Sequence, residues 1–121
     1  MTQTSCTQNP TDFNVTHVNS IEAKSLLDTQ PELVVLDIRT PKEIKEGHIE
    51  GAIFVDFKNH DFADQLSKLD RSTPYIVHCA GGGRSMKALI VLEELGFSDI
   101  IHLDGGIMGW TEAGLLITRG E

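Results

Sequence analysis

Tyr75-Ile76-Val77-His78-Cys79-Ala80-Gly81-Gly82-Gly83-Arg84-Ser85 sets one cysteine between a β-like run and a helix-like one. Tyr75 to His78 reads as a short buried strand, and from Met86 to Leu95 apolar residues recur at helical spacing, at Ala88, Leu89, Leu92 and Leu95. The cysteine therefore falls at a strand-to-helix turn. Glycines at 81, 82 and 83 allow positive φ and let successive amide N–H groups converge on one point, an anion nest. The unpaired N–H groups of the following helix point the same way. A thiolate held there gains charge-assisted hydrogen bonds and the positive end of a helix, which predicts a Cys79 pKa below the ordinary thiol value of about 8.5. Arg84 adds a permanent cation. Three consecutive glycines cost backbone entropy that a plain connection does not need, so an inert structural cysteine is the weaker reading.

Outward from this loop the chain alternates strand-like and helix-like segments without repeat or low-complexity stretch. Phe13 to Val18 is a weak strand, and Asn19 or Ser20 caps a helix through Ile21, Ala23, Leu26 and Leu27. Leu33 to Leu36 is a continuous apolar run, the pattern of a strand covered on both faces. Thr40-Pro41-Lys42-Glu43 is a capping box with proline at the first helical position, and the short helix it opens ends near Gly47. Ala52 to Val55 reads as a strand, Phe62 to Leu69 as a helix, and Gly96 as the stop of the helix after the loop. Asp99 to Leu103 is a last strand, followed by a short helix opened by Gly105-Gly106 and holding Trp110. Alternating βα units predict an α/β fold: a mostly parallel central sheet of about five strands flanked by helices on both faces. In such sheets ligands bind beyond the carboxyl ends of the strands, where Cys79 lies. Residues 1–12 are expected to be a flexible tail and residues 13–121 a single domain.

Composition bounds the function. A chain of 121 residues suits one domain that buries roughly two-thirds of its unfolded surface. Hydrophobic residues at 40% and charged residues at 23% are too apolar a mixture for disorder. A net charge of −8 argues against nucleic acid or anionic membrane as partner, yet a locally positive pocket still suits a small anion. Two cysteines, Cys6 and Cys79, are too few for a disulfide framework and lack paired metal spacing. The polar first dozen residues show neither secretory signal nor membrane span. Cytoplasm is the expected location, and Cys6 reads as an incidental thiol in the tail.

Three stretches together resemble the single-domain rhodaneses. The first is Leu36-Asp37-Ile38-Arg39 with Glu43 and Gly47-His48-Ile49-Glu50-Gly51-Ala52; the second is the loop Cys79-Ala80-Gly81-Gly82-Gly83-Arg84-Ser85; the third is Leu103-Asp104-Gly105-Gly106 with Trp110 and Gly114. The resemblance spans nearly the whole chain and implies a rhodanese-like fold and sulfurtransferase chemistry. Cys79 attacks a sulfane sulfur donor such as thiosulfate, holds the sulfur as a persulfide and passes it to a thiol or cyanide. Protein thiols count among the acceptors. The amides from Ala80 to Ser85, through Gly81, Gly82 and Gly83, suit both the anionic donor and the persulfide, and Arg84 steers and holds the anion. The Ser85 hydroxyl either bonds the sulfur or merely solvates the helix start. No cofactor and no metal are expected, and the chain reads as a monomer.

Two other functions compete. Cysteine-dependent phosphatases, and the arsenate reductases with them, place one more residue between cysteine and arginine than this loop, which holds six residues from Cys79 through Arg84. They also need a general acid, and no Asp or Glu stands in the loop. The other reading is a sulfur carrier or partner-binding module with little small-molecule turnover. The remaining polar residues read as structural. Asp37 and Arg39, with Glu43, support the loop's surroundings through an ion pair, assigned as Arg39 with Glu43. His48 is a packed turn residue, and His78 points to the opposite face from Cys79. His17, His60 and His102 lack ligand-like spacing. Small glycine walls predict an open pocket that admits bulky donors.

Overall fold

The computed structural model describes residues 13–120; the tail at 1–12 and Cys6 lie outside them. Strand β1, Asn14–Val18, leads into helix α1, Ser20–Thr29, and Asn19 is its cap: Asn19 Oδ1 accepts the Glu22 N–H at 2.8 Å and Glu22 Oε1 accepts the Asn19 N–H at 2.9 Å. Strand β2, Val34–Asp37, leads into α2, Pro41–Glu46, where Thr40 and Glu43 close the expected capping box. Strand β3 is Ile53–Phe54 and α3 is Phe62–Leu66. Strand β4, Tyr75–His78, leads into α4, Gly83–Glu94; β5 is Asp99–Leu103 and α5 is Gly106–Glu112.

β1 is one residue shorter than the sequence predicts, β3 and α3 are shorter by more, and α4 is longer. β3 shrinks to two residues because it is an edge strand that pairs only with β2, Leu36 opposite Ile53 and Asp37 opposite Phe54. α3 stops at Leu66 because the chain turns there, with the Lys68 and Leu69 amides bonding back to Gln65 and Leu66. α4 starts at Gly83, three residues before the apolar periodicity begins, because its first turn belongs to the loop and carries no core residue until Ser85.

The sheet has five strands in the order β1-β5-β4-β2-β3, every pair parallel. Leu36, Tyr75, Val77 and Ile100 pack with Phe62 and Leu66 of α3 and Ala88 and Leu92 of α4. Val18, Val35, Ile76 and Leu103 form a second core with Ala23 of α1 and Ile107 and Trp110 of α5. Each fully buried aliphatic side chain contributes about 1.5–3 kcal/mol, so helices are held on both faces by burial rather than by propensity. β4 is the middle strand, all four of its residues buried. Its carboxyl end therefore delivers Cys79 to the centre of the sheet's edge, flanked by α4 and α5.

Candidate active site

The loop from Cys79 to Ser85 is pinned at its start by α5 and runs at its end into α4. The Ile107 and Met108 amides at the start of α5 donate to the Cys79 and Ala80 carbonyls, each at 3.0 Å. That docking needs glycine at 106: its φ is +63°, and a Cβ there would lie 2.6 Å from the Cys79 carbonyl oxygen and closer still to that of Ala80. Within the loop only Gly82 uses the freedom that three glycines suggested. Its φ is +115°, and a Cβ would meet the Asp104 carbonyl oxygen at 2.6 Å, whereas Gly83 has open space and Gly81 faces only Met108 Sδ at 3.5 Å.

The nest is aimed at the sulfur itself. Cys79 Sγ accepts the Gly82 N–H at 3.1 Å and the Ser85 N–H at 3.4 Å, and the Ser85 hydroxyl lies 3.4 Å away. Burial pushes the Cys79 thiol up, but the bonds from the Ser85 hydroxyl and from the Ser85, Gly82 and Arg84 amides outweigh it, and the net direction is below the ordinary thiol value. Ser85 thus reaches the sulfur as well as the helix start, its hydroxyl also lying 3.2 Å from the Gly82 carbonyl. The Cys79 residue itself is only 1% exposed, so the space expected beside small glycine walls lies next to the loop rather than over the sulfur. A depression of about 420 Å³ lies on the glycine side of the loop, against Met86, His17, His102 and Asp104, and one of about 260 Å³ lies between Ala80, Glu43, Arg39 and Ile107.

The supporting charges pair differently from the sequence expectation, which joined Arg39 to Glu43. Arg39 folds back on Asp37 in a two-pronged contact, Nε to Oδ1 at 2.9 Å and Nη2 to Oδ2 at 2.8 Å, and Nη2 also donates to the Gly47 carbonyl at 2.8 Å. Both side chains are buried, so each charge needs a partner at the shortest reach, and Asp37 sits two residues away at the end of the same strand. Of Glu43, Arg39 touches only the backbone carbonyl, at 3.4 Å. The Glu43 carboxylate instead crosses to the loop and takes Arg84 in a fork, Nη1 to Oε1 at 2.9 Å and Nη2 to Oε2 at 2.8 Å. The Arg84 guanidinium holds the Glu43 carboxyl down to about 2 against the opposing pull of burial, and Glu43 raises Arg84 in return.

His78 donates from Nδ1 to the Cys79 carbonyl at 2.9 Å, and burial lowers its pKa, so it positions the backbone and does not touch the sulfur. His48 Nδ1 bonds the Ile44 carbonyl at 3.0 Å, a packed turn residue. His102 is the residue that sequence reasoning passed over. Parallel pairing sets His17 opposite His102, and both Nδ1 atoms lie 2.7 Å from Asp104 Oδ1. Among the described residues this is the one grouping of three donors close enough for a cation, but its nitrogens and its oxygen are engaged with one another as a hydrogen-bonded trio. His102 Nε2 lies 2.7 Å from Ser85 Oγ. No spacing rule links positions 17, 85 and 102; only the order of strands does.

A family model described as a rhodanese-like domain matches residues 20–113. Among curated proteins, the chain is 34% identical to a sulfurtransferase of Allochromatium vinosum over 86% of its own length and 98% of the relative's. It is 40% identical to the thiosulfate sulfurtransferase GlpE of Pseudomonas aeruginosa over 63% of its length and 67% of that protein. It is 34% identical to a probable adenylyltransferase/sulfurtransferase, MoeZ, of Mycobacterium tuberculosis over 75% of its length, but spans only 23% of that longer protein. Among solved structures, a rhodanese-related protein of Thermoplasma volcanium superposes with a TM-score of 0.75 at 29% identity, covering 85% of this chain and 97% of that one.

Proposed function

Because the chain belongs to the rhodanese-like domain family, whose named relatives support sulfurtransferase activity, we propose that Cys79 is the sulfur-carrying nucleophile and that its donor is a small anion such as thiosulfate. The observation that carries this reading is the pair of amide bonds, from Gly82 and Ser85, aimed at a buried Sγ at the start of α4. A thiolate is stabilised there by backbone amides and by the start of a helix. In the reaction, the Cys79 thiolate attacks the outer sulfur of thiosulfate, the S–S bond breaks, and sulfite leaves with the electron pair. The outer sulfur of the resulting persulfide then goes to cyanide or to a thiol, and Cys79 departs as thiolate. Arg84 receives the donor's charge in competition with Glu43, which already holds its guanidinium, while Ala80, Gly81 and Gly83 line the depressions beside the loop.

The test is the intact mass of the reduced protein and of a Cys79→Ser variant after exposure to thiosulfate, then after cyanide. One added sulfur on the native chain alone, removed by cyanide, is the expected result. No gain from thiosulfate, with a gain from a protein persulfide, would instead favour a dedicated carrier fed by another protein. The near-complete cover of Cys79 is what gives that second reading weight, since a docked partner supplies a way to open the loop that thiosulfate lacks.

A further inference from the structure

One file of hydrogen bonds leads away from the nucleophile toward the surface. From Cys79 Sγ it passes to Ser85 Oγ at 3.4 Å, to His102 Nε2 at 2.7 Å, and from His102 Nδ1 to Asp104 Oδ1 at 2.7 Å. His17 Nδ1 meets the same carboxylate oxygen from outside, also at 2.7 Å. Cys79, Ser85 and His102 are buried, whereas His17 and Asp104 are open to water.

The proton inventory of this file is restrictive. Asp104 is held below the ordinary carboxylate range, its own burial outweighed by the bonds from His102 and His17. An ionised carboxylate only accepts, so His102 Nδ1 carries a hydrogen. Ser85 has one hydroxyl proton, and its near neighbours are Sγ, Nε2 and, at 3.2 Å, the Gly82 carbonyl. If Nε2 is bare, it draws that proton, and Ser85 Oγ can only accept from a Cys79 thiol. If Nε2 is protonated, it donates to Ser85 Oγ, and the hydroxyl is free to donate to a Cys79 thiolate. The two states differ by one proton moved from sulfur to imidazole.

We propose that His102 is the positioning residue for thiolate formation, accepting the Cys79 proton by way of Ser85 while Asp104 holds the ring in place. The S–H bond of Cys79 breaks as an O–H bond forms on Ser85; the original Ser85 O–H bond breaks as N–H forms on Nε2. No electrons change hands, and the product is a thiolate beside an imidazolium. The groups facing that imidazolium are Asp104 and the Cys79 thiolate, which favour it, and the His17 ring 5.3 Å away on β1, which opposes it only when charged; His78, on the opposite face of β4, acts on it only as a charge through the sheet. Burial lowers the His78 pKa. The use of the thiolate in sulfur transfer rests on the function proposed above; the proton route itself is testable without any sulfur donor.

The experiment follows the alkylation rate of Cys79 by iodoacetamide against pH, read by mass spectrometry, for the native chain, His102→Gln and Asp104→Asn. Glutamine keeps an amide within reach of Ser85 but takes no proton. The expected result is a midpoint at least about one unit higher in His102→Gln, a loss of rate of about fivefold at the native midpoint that approaches about tenfold below it, with a smaller shift in the same direction for Asp104→Asn. Superimposable profiles in folded variants would overturn the proposal. Nitrogen NMR of the native histidines supplies the check that needs no change at His102. The His102 ring is expected to show the imidazolium pattern above the native midpoint and to revert to the neutral pattern in Cys79→Ser. A ring indifferent to that replacement would equally overturn it. Failure of sulfur loading with these shifts intact would sink the sulfurtransferase reading alone.

Discussion

At the scale of single residues, Arg84 is shared. Glu43 holds both prongs of the guanidinium, and the pair is only partly buried, with side chains 21% and 31% exposed. An anionic donor reaching Arg84 therefore meets a carboxylate already in place. Replacing Glu43 with Gln removes the competing charge and is expected to lower the KM for thiosulfate several-fold, while Arg84→Ala raises it; steady-state kinetics with thiosulfate and cyanide reads both. The pair also sets a pH window. Because the folded Glu43 carboxyl is depressed to about 2, its contribution to stability is full above the unfolded value of about 4.3 and is lost as pH falls through about 2. A partly exposed pair contributes about 1 kcal/mol or less. Denaturant midpoints measured from pH 6 down to pH 2 are expected to fall less steeply in Glu43→Gln than in the native chain, because the variant has no such proton to take up.

At the scale of the element, the start of α4 separates three glycines that look alike in the sequence. Gly82 is the N-cap and sits at positive φ against the Asp104 carbonyl, while Gly83 is the first helical residue with nothing within 4 Å of a Cβ. Gly82→Ala combines left-handed strain of about 1–3 kcal/mol with a backbone clash. Gly83→Ala meets no clash and gains from reduced freedom in the unfolded chain, about 0.4–1 kcal/mol in favour. Thermal unfolding of the two variants is expected to move Tm in opposite directions, and a like loss in both would contradict the geometry given for this turn. The helix starts at Asn19 and Thr40, by contrast, are local devices: the Thr40 capping box forms as its sequence predicts, and of the two caps offered at 19 and 20 the structure uses Asn19, which also closes a box with Glu22.

At the scale of the whole molecule, the buried Asp37–Arg39 pair ties the end of β2 to the Gly47 carbonyl, where the chain leaves α2. Asp37→Asn leaves the guanidinium buried against a neutral partner and is expected to cost about 3–5 kcal/mol. The double change Asp37→Asn with Arg39→Met is expected to recover part of it, which a denaturant double-mutant cycle measures. The same long-range assembly separates what could be read in advance from what could not. β4 and β5 fall where their apolar runs place them, and the cysteine loop announces its anion nest, because each depends on residues within a few positions of one another. The boundary of α4 was missed because its first turn faces the sulfur and carries no core residue to mark it. The partner of Glu43 was missed because Arg84 is reached across the fold, over 41 positions. Most of all, His102 looked like an isolated histidine. Composition, spacing and local backbone preference determine the βα alternation, the caps and the nucleophile. Only the parallel order β1-β5-β4 sets His17 beside His102 and brings His102 to Ser85, because strand neighbours are chosen by burial of the whole sheet rather than by any short-range signal.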